Sequence, residues 1–133
     1  MRCYLSILLF LLLLAPAKAQ PKYEVRAAWV TAVYGLDWPR TKATTPTAIR
    51  RQQEELTDIL DKLKAANFNT ILFQTRTRGD VLYHSSIEPY NSILTGKVDG
   101  DPGYDPLAFA VRECHKRGME CHAWMVAIPL GNK

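Results

Sequence analysis

The connections in this chain are lopsided. The apolar runs between residues 24 and 128 read as strand–helix–strand–helix–strand, and each helix-to-strand return takes only a few residues. The strand-to-helix connections instead run from Tyr34 to Thr44 and from Thr77 to Tyr104. Connections longer than about 12–15 residues without structure of their own are usually functional or disordered. The second is rich in Tyr, Gly, Pro and Asp, which favours an ordered, functional loop. Successive parallel strands need helical crossovers, so the pattern requires a parallel sheet. Long loops gathered at the C-terminal ends of such strands are the layout of an α/β barrel, where those loops build the site. The expected fold class is α/β: the first three strand–helix units of a (β/α)8 TIM barrel. Closure takes eight units and about 250 residues, so a 133-residue sequence with three strands leaves the barrel incomplete.

Each element has its own signals. Arg26 to Val33 is a short, largely apolar run, as expected of a parallel strand covered on both faces. Thr45 can cap the first helix, Pro46 suits its first turn, and Ile49, Leu56, Ile59, Leu60, Leu63 and Ala66 recur at helical spacing up to a stop at Asn67. Thr70 to Arg76 is the second strand. Asp105-Pro106 opens the second helix, Leu107, Ala110, Val111 and Cys114 form its buried stripe, and Gly118 ends it. Glu120 to Ala127 is the third strand. A doubly wound nucleotide-binding domain begins in the same way, but its glycine-rich phosphate loop is missing. After the first strand stands Tyr34-Gly35-Leu36-Asp37-Trp38-Pro39, with one glycine and no tight entry into the helix.

The first nineteen residues read as a secretory signal peptide, leaving 20–133 as the mature barrel portion. Arg2 precedes an apolar run from Tyr4 to Leu14, and Ala17-Lys18-Ala19 places small residues for cleavage after Ala19. The run is shorter than the roughly 20 residues a membrane span needs, so no span is expected after cleavage. An uncleaved N-terminal anchor is the alternative. Export follows from the first reading. Losing Arg2 and Lys18, with no acid, lowers the net charge from +4 to +2. That is too mild to argue for nucleic acid or an anionic membrane. Cys114 and Cys121 could pair across the tight return or remain two buried thiols, and the apolar character of cysteine favours thiols. Their spacing matches no zinc pattern, and neither metal nor cofactor is expected.

The second strand carries the sharpest chemical signal. Gln74 and Arg76 have the same parity and leave from one face of an otherwise apolar strand. A buried guanidinium must meet a carboxylate, a carbonyl or a ligand, so Arg76 is either a site residue or half of a structural salt bridge. His122 and Trp124 share a face of the third strand. The histidine suits a core hydrogen bond, a substrate contact or acid–base work. Tyr34 and Trp38 in the first loop, with Tyr83, Tyr90 and Tyr104 in the second, suit sugars or loop packing. A glycosidase needs two carboxyl groups about 5–5.5 Å apart for retention or about 6.5–9.5 Å for inversion. Asp37, Asp80, Glu88, Asp99 and Asp101 lie in loops, Asp105 is better explained as a cap, and sequence alone positions no pair. Arg78-Gly79-Asp80 also spells an adhesion triplet, but three residues recur by chance.

At these residues the chain resembles a known family. Glu24-Val25-Arg26-Ala27-Ala28-Trp29-Val30, Tyr34-Gly35-Leu36-Asp37-Trp38-Pro39 and Phe68-Asn69-Thr70-Ile71-Leu72-Phe73-Gln74 are similar to the start of the glycosyl hydrolase-like 10 family of bacterial envelope proteins. So are Arg76-Thr77-Arg78-Gly79-Asp80-Val81-Leu82-Tyr83, Ser85-Ser86-Ile87-Glu88-Pro89-Tyr90, Pro102-Gly103-Tyr104-Asp105-Pro106-Leu107 and His122-Ala123-Trp124. His84 stands where proline is expected, and Cys121 where an apolar residue is usual. The resemblance implies a (β/α)8 barrel, export to the periplasm or envelope of a bacterium or to the medium, and action on glycosidic bonds of a polysaccharide. It makes peptidoglycan glycan strands a candidate, with other cell-surface or dietary glycans as alternatives. Arg76, Asp80 and Trp38 would line the cleft, with Gln74, His122, Trp124 and Tyr83 as further contacts. The catalytic carboxylates are expected to follow later strands, so this segment is expected to be inactive alone. The alternative is a non-enzymatic remnant or exported glycan-binding module.

Overall fold

Both helices begin and end where the chain is punctuated, in a computed structural model that describes residues 23–128. The signal-peptide reading and the Ala19 cleavage site lie outside the described residues. α1 (Pro46–Ala65) starts where Thr45 Oγ1 accepts the Ala48 N–H at 3.2 Å, with proline at a position whose N–H has no helical partner. α2 (Pro106–Lys116) repeats the device, the Asp105 carboxylate accepting the Ala108 N–H at 2.9 Å. The ends match as well. Asn67 (φ 63°) and Gly118 (φ 60°) take the left-handed conformation, and the next residue bonds back five positions. Phe68 N–H reaches the Leu63 carbonyl at 3.0 Å, and Met119 N–H reaches that of Cys114 at 3.0 Å. Each closure satisfies end carbonyls and tucks an apolar side chain under the helix, which is why the returns are so short.

The strands β1 (Ala27–Val30), β2 (Thr70–Arg76) and β3 (Glu120–Met125) form one parallel sheet in that order. Register sets Ala28 beside Ile71, Val30 beside Phe73, Ile71 beside Cys121 and Phe73 beside Ala123. These residues share one face, and there Val30, Ile71 and Phe73 meet Leu56 and Leu60 of α1 and Ala110 and Cys114 of α2 in the core. Fully burying a leucine such as Leu56 or Leu60 contributes about 1.5–3 kcal/mol.

The opposite face carries Ala27, Trp29, Leu72, Gln74, His122 and Trp124. Cover on both faces was expected, but Trp29 is 58% exposed and His122 is exposed, because no described element packs there. β1 is also shorter than its apolar run. The Thr31 N–H goes to the Asp37 carboxylate at 2.8 Å, and those of Ala32 and Val33 go to Gln74 Oε1, so the backbone leaves the ladder early. β3 stops at Met125 rather than Ala127.

The two long loops are ordered and packed together. Val81, Leu82 and Leu94 are fully buried, and Leu82 N–H bonds back to the Thr75 carbonyl at 2.8 Å. Ala43 N–H reaches the Leu94 carbonyl at 2.7 Å, tying one loop to the other. Gln52 of α1 sits beneath both. Its amide donates to the Thr41 carbonyl at 2.6 Å and to that of Leu94 at 3.0 Å, while its oxygen accepts the Tyr104 hydroxyl at 2.6 Å. Burial, with the Glu55 carboxylate second, raises the Tyr104 phenol above its ordinary range. Among the described residues, no helix is long and apolar enough to cross a membrane.

Candidate functional site

Where β1 and β2 end, the two loops enclose a cleft of about 170 Å³ lined by Val33, Tyr34, Thr77, Arg78, Asp80, Asn91, Ser92 and Ile93. Tyr34 takes φ 55° within the single 3₁₀ turn Val33–Gly35, a left-handed conformation that a side chain with a Cβ normally avoids. This turn leaves the ring 72% exposed, with the Arg78 guanidinium 5.0 Å from its centroid. Arg78 Nη2 also donates to the Tyr34 hydroxyl. On the other wall, Asp80 Oδ1 accepts from Thr77 Oγ1, from Asn91 Nδ2 at 3.0 Å and from the Arg78 N–H at 3.2 Å. The cleft therefore combines a cation, a carboxylate, an amide and an aromatic face. A carboxylate has about four acceptor positions, so Asp80 keeps capacity for a ligand hydroxyl.

Of the residues expected in the cleft, only Asp80 lines it. Trp38 is wholly buried. Its indole packs 5.6 Å from Phe73 between centroids, and its Nε1 donates to the Gln52 carbonyl at 2.8 Å. A ring with no exposed face cannot stack on a sugar, so the cleft-lining expectation for Trp38 is corrected to a core position. Gln74 is buried as well. Its Oε1 accepts the Ala32 and Val33 N–H groups at 2.9 Å each, and so holds the end of β1. Arg76 meets a carboxylate and carbonyls, as its burial demanded: Nε and Nη2 bind Glu88, and Nη1 donates to the Val126 and Ala127 carbonyls. Tyr83 is half-buried and stands outside the lining of the cleft.

His122 and Trp124 do share a face with Gln74, through the pairs Leu72–His122 and Gln74–Trp124. His122 Nε2 lies 3.0 Å from a Glu120 carboxylate oxygen, and Trp124 meets Trp29 edge to face at 4.7 Å. These residues stand on the open sheet face, outside the lining of the cleft. Tyr34, weighed only as one aromatic among several, and Arg78, seen only in a chance triplet, are the pair that sequence reasoning left out. Their signal was position, since each follows the C-terminal end of a strand.

The loop carboxylates already have work. Asp37 accepts the Thr31 N–H, Asp99 that of Tyr90, Asp101 that of Gly103, and Asp105 those of Ala108 and His84. Glu88 is held by Arg76, whose hydrogen bonds lower its carboxyl below the usual range. A general acid must instead carry a raised pKa, and Glu88 is shifted the opposite way. Among the described residues, no group of three or more His, Cys, Asp or Glu could hold a metal ion.

A parallel α/β unit with a polar, aromatic-walled cleft at its strand ends belongs to the class of glycosidase-related proteins by the following match. The glycosyl hydrolase-like 10 model covers residues 24–132, and the chain belongs to that family. It is 39% identical over 108 residues to glycosyl hydrolase YngK of Bacillus subtilis, covering 81% of this chain and 21% of that one. It is 41% identical over 114 residues to glycosyl hydrolase DigH of Escherichia coli K12, covering 82% of this chain and 26% of that one. The DigH of Shigella flexneri matches to the same extent. The chain thus spans 21–26% of the length of these relatives.

Proposed function

We propose that this chain is the N-terminal segment of an exported glycoside hydrolase that acts on a polysaccharide, with peptidoglycan glycan strands as the first candidate substrate. Its three strands open a (β/α)8 barrel whose remaining strands lie outside this sequence. The reading rests on the cleft that joins Tyr34, Arg78, Asp80 and Asn91 at the C-terminal ends of β1 and β2, where barrel enzymes bind their substrates. An aromatic face suits the C–H side of a sugar ring, and the charged and amide groups suit its hydroxyls. The uncovered face with Trp29 and Trp124 would become the barrel interior. Of the loop carboxylates Asp80 alone lines the cleft, while Asp37, Glu88, Asp99, Asp101 and Asp105 hold backbone groups or arginine, so the catalytic pair draws on later strands. The segment contributes binding, and alone it hydrolyses nothing.

The test compares the full-length protein with chain 1–133 on purified glycan strands, reading reducing ends and, separately, binding. Release by the full-length protein, with binding and no release by the segment, supports the proposal. A full-length protein that releases no reducing ends from any envelope glycan refutes it. Export is tested by the N-terminus of the protein recovered from the envelope or medium, expected at Gln20.

A further inference from the structure

The helix face of the sheet holds a second chemistry. Cys114, in the last turn of α2, is completely buried, while Cys121, the second residue of β3, is half-buried against the same core cluster. The left-handed Gly118 and the Met119 N–H bond to the Cys114 carbonyl fold the chain back so that both side chains enter one core cluster across the tight return. The neighbouring Cys121 first, and burial second, raise the Cys114 thiol above its ordinary value. The two cysteines therefore differ in access. Cys121 is the reachable partner, and Cys114 is the enclosed one.

We propose that Cys114 and Cys121 are a redox pair that forms a reversible intrachain disulfide on meeting a small-molecule disulfide such as oxidised glutathione. The Cys121 thiolate attacks one sulfur of the small disulfide, whose S–S bond breaks, and one glutathione thiolate leaves. Cys114 then loses its proton to solvent and attacks the Cys121 sulfur, expelling the second glutathione. The two protein thiols lose two electrons and two protons, and the small disulfide takes them up as two thiols. The product bolts the end of α2 to β3, the strand that presents His122 and Trp124.

The full chain, reduced and then equilibrated in glutathione buffers from fully reduced to fully oxidised, is quenched with iodoacetamide and digested with trypsin. Lys116 and Arg117 separate the two cysteines, so a bridge joins two peptides that are otherwise distinct. The expected result is that linked peptide in oxidising buffer, with alkylation of both cysteines falling together and returning with reductant. Alkylation of both cysteines at every ratio would overturn the proposal. So would a stable glutathione adduct on Cys121 beside an alkylated Cys114, or a link from either cysteine to Cys3.

Discussion

Arg76 grips Glu88 from two sides, with Nε at 2.8 and 2.9 Å from the two carboxylate oxygens and Nη2 at 2.5 Å from one of them. Its remaining nitrogen donates to the Val126 and Ala127 carbonyls, so β2, the end of β3 and the long second loop meet at one guanidinium.

The pair makes stability depend on acid. Arg76 holds the Glu88 carboxyl below its ordinary value, so the unfolded chain binds more protons there than the folded one. The contribution is present above the unfolded glutamate value, about 4.3, and is lost as pH falls through the lower folded value. Glu88→Gln should flatten this acid limb in urea midpoints taken across that range. Identical limbs for the two proteins would show that the pair adds nothing. Arg76→Lys, lacking the planar fork, should lower the midpoint at neutral pH.

Trp38→Ala should cost about 3–5 kcal/mol, the usual range for emptying a buried aromatic site, because the indole is wholly enclosed and bonded to the Gln52 carbonyl. Urea denaturation measures it directly. A variant of unchanged stability that lost glycan binding would return Trp38 to the cleft.

Two glycines separate backbone strain from crowding. Gly79 has φ +82° and nothing within 4 Å of an added Cβ, whereas Gly103 has φ +78° and would bring that atom 3.0 Å from Ile49 Cδ1. Gly79→Ala should cost about 1–2 kcal/mol, the left-handed penalty alone. Gly103→Ala should cost more, since Ile49 must also move. Equal melting shifts would mean that Ile49 yields freely.

Tyr34→Gly relieves the left-handed strain at φ 55° but removes the ring beneath Arg78. Relief and the added freedom of glycine, about 0.5–1 kcal/mol, oppose each other, so stability should change by less than about 1 kcal/mol. Glycan affinity should fall if the cleft binds sugar. Calorimetric titration with purified glycan strands, paired with a melting curve, separates the two effects.

What could be read along the chain was local. Thr45 and Asp105 act as caps, Asn67 and Gly118 end their helices, and β2 spans Thr70–Arg76, because each depends on hydrogen bonds and side-chain periods within a few residues. The shared parity of Gln74 and Arg76 was equally legible, as was the need of the guanidinium for a partner. Its partner was not, because Glu88 is reached only by the fold of the loop that follows Arg76.

Loops obey no period, so only closure decides which rings go inside. Trp38 and Tyr34 are near neighbours in one loop, yet the first is core and the second is open to solvent. Gln52 accounts for part of that choice, since its carbonyl accepts the indole N–H from across the packed loops. Composition and spacing thus determined the elements, their order and the end of the sheet where the long loops gather. The tertiary structure decided which side chains line the cleft there, because their contacts join residues distant in sequence whose meeting no local preference encodes.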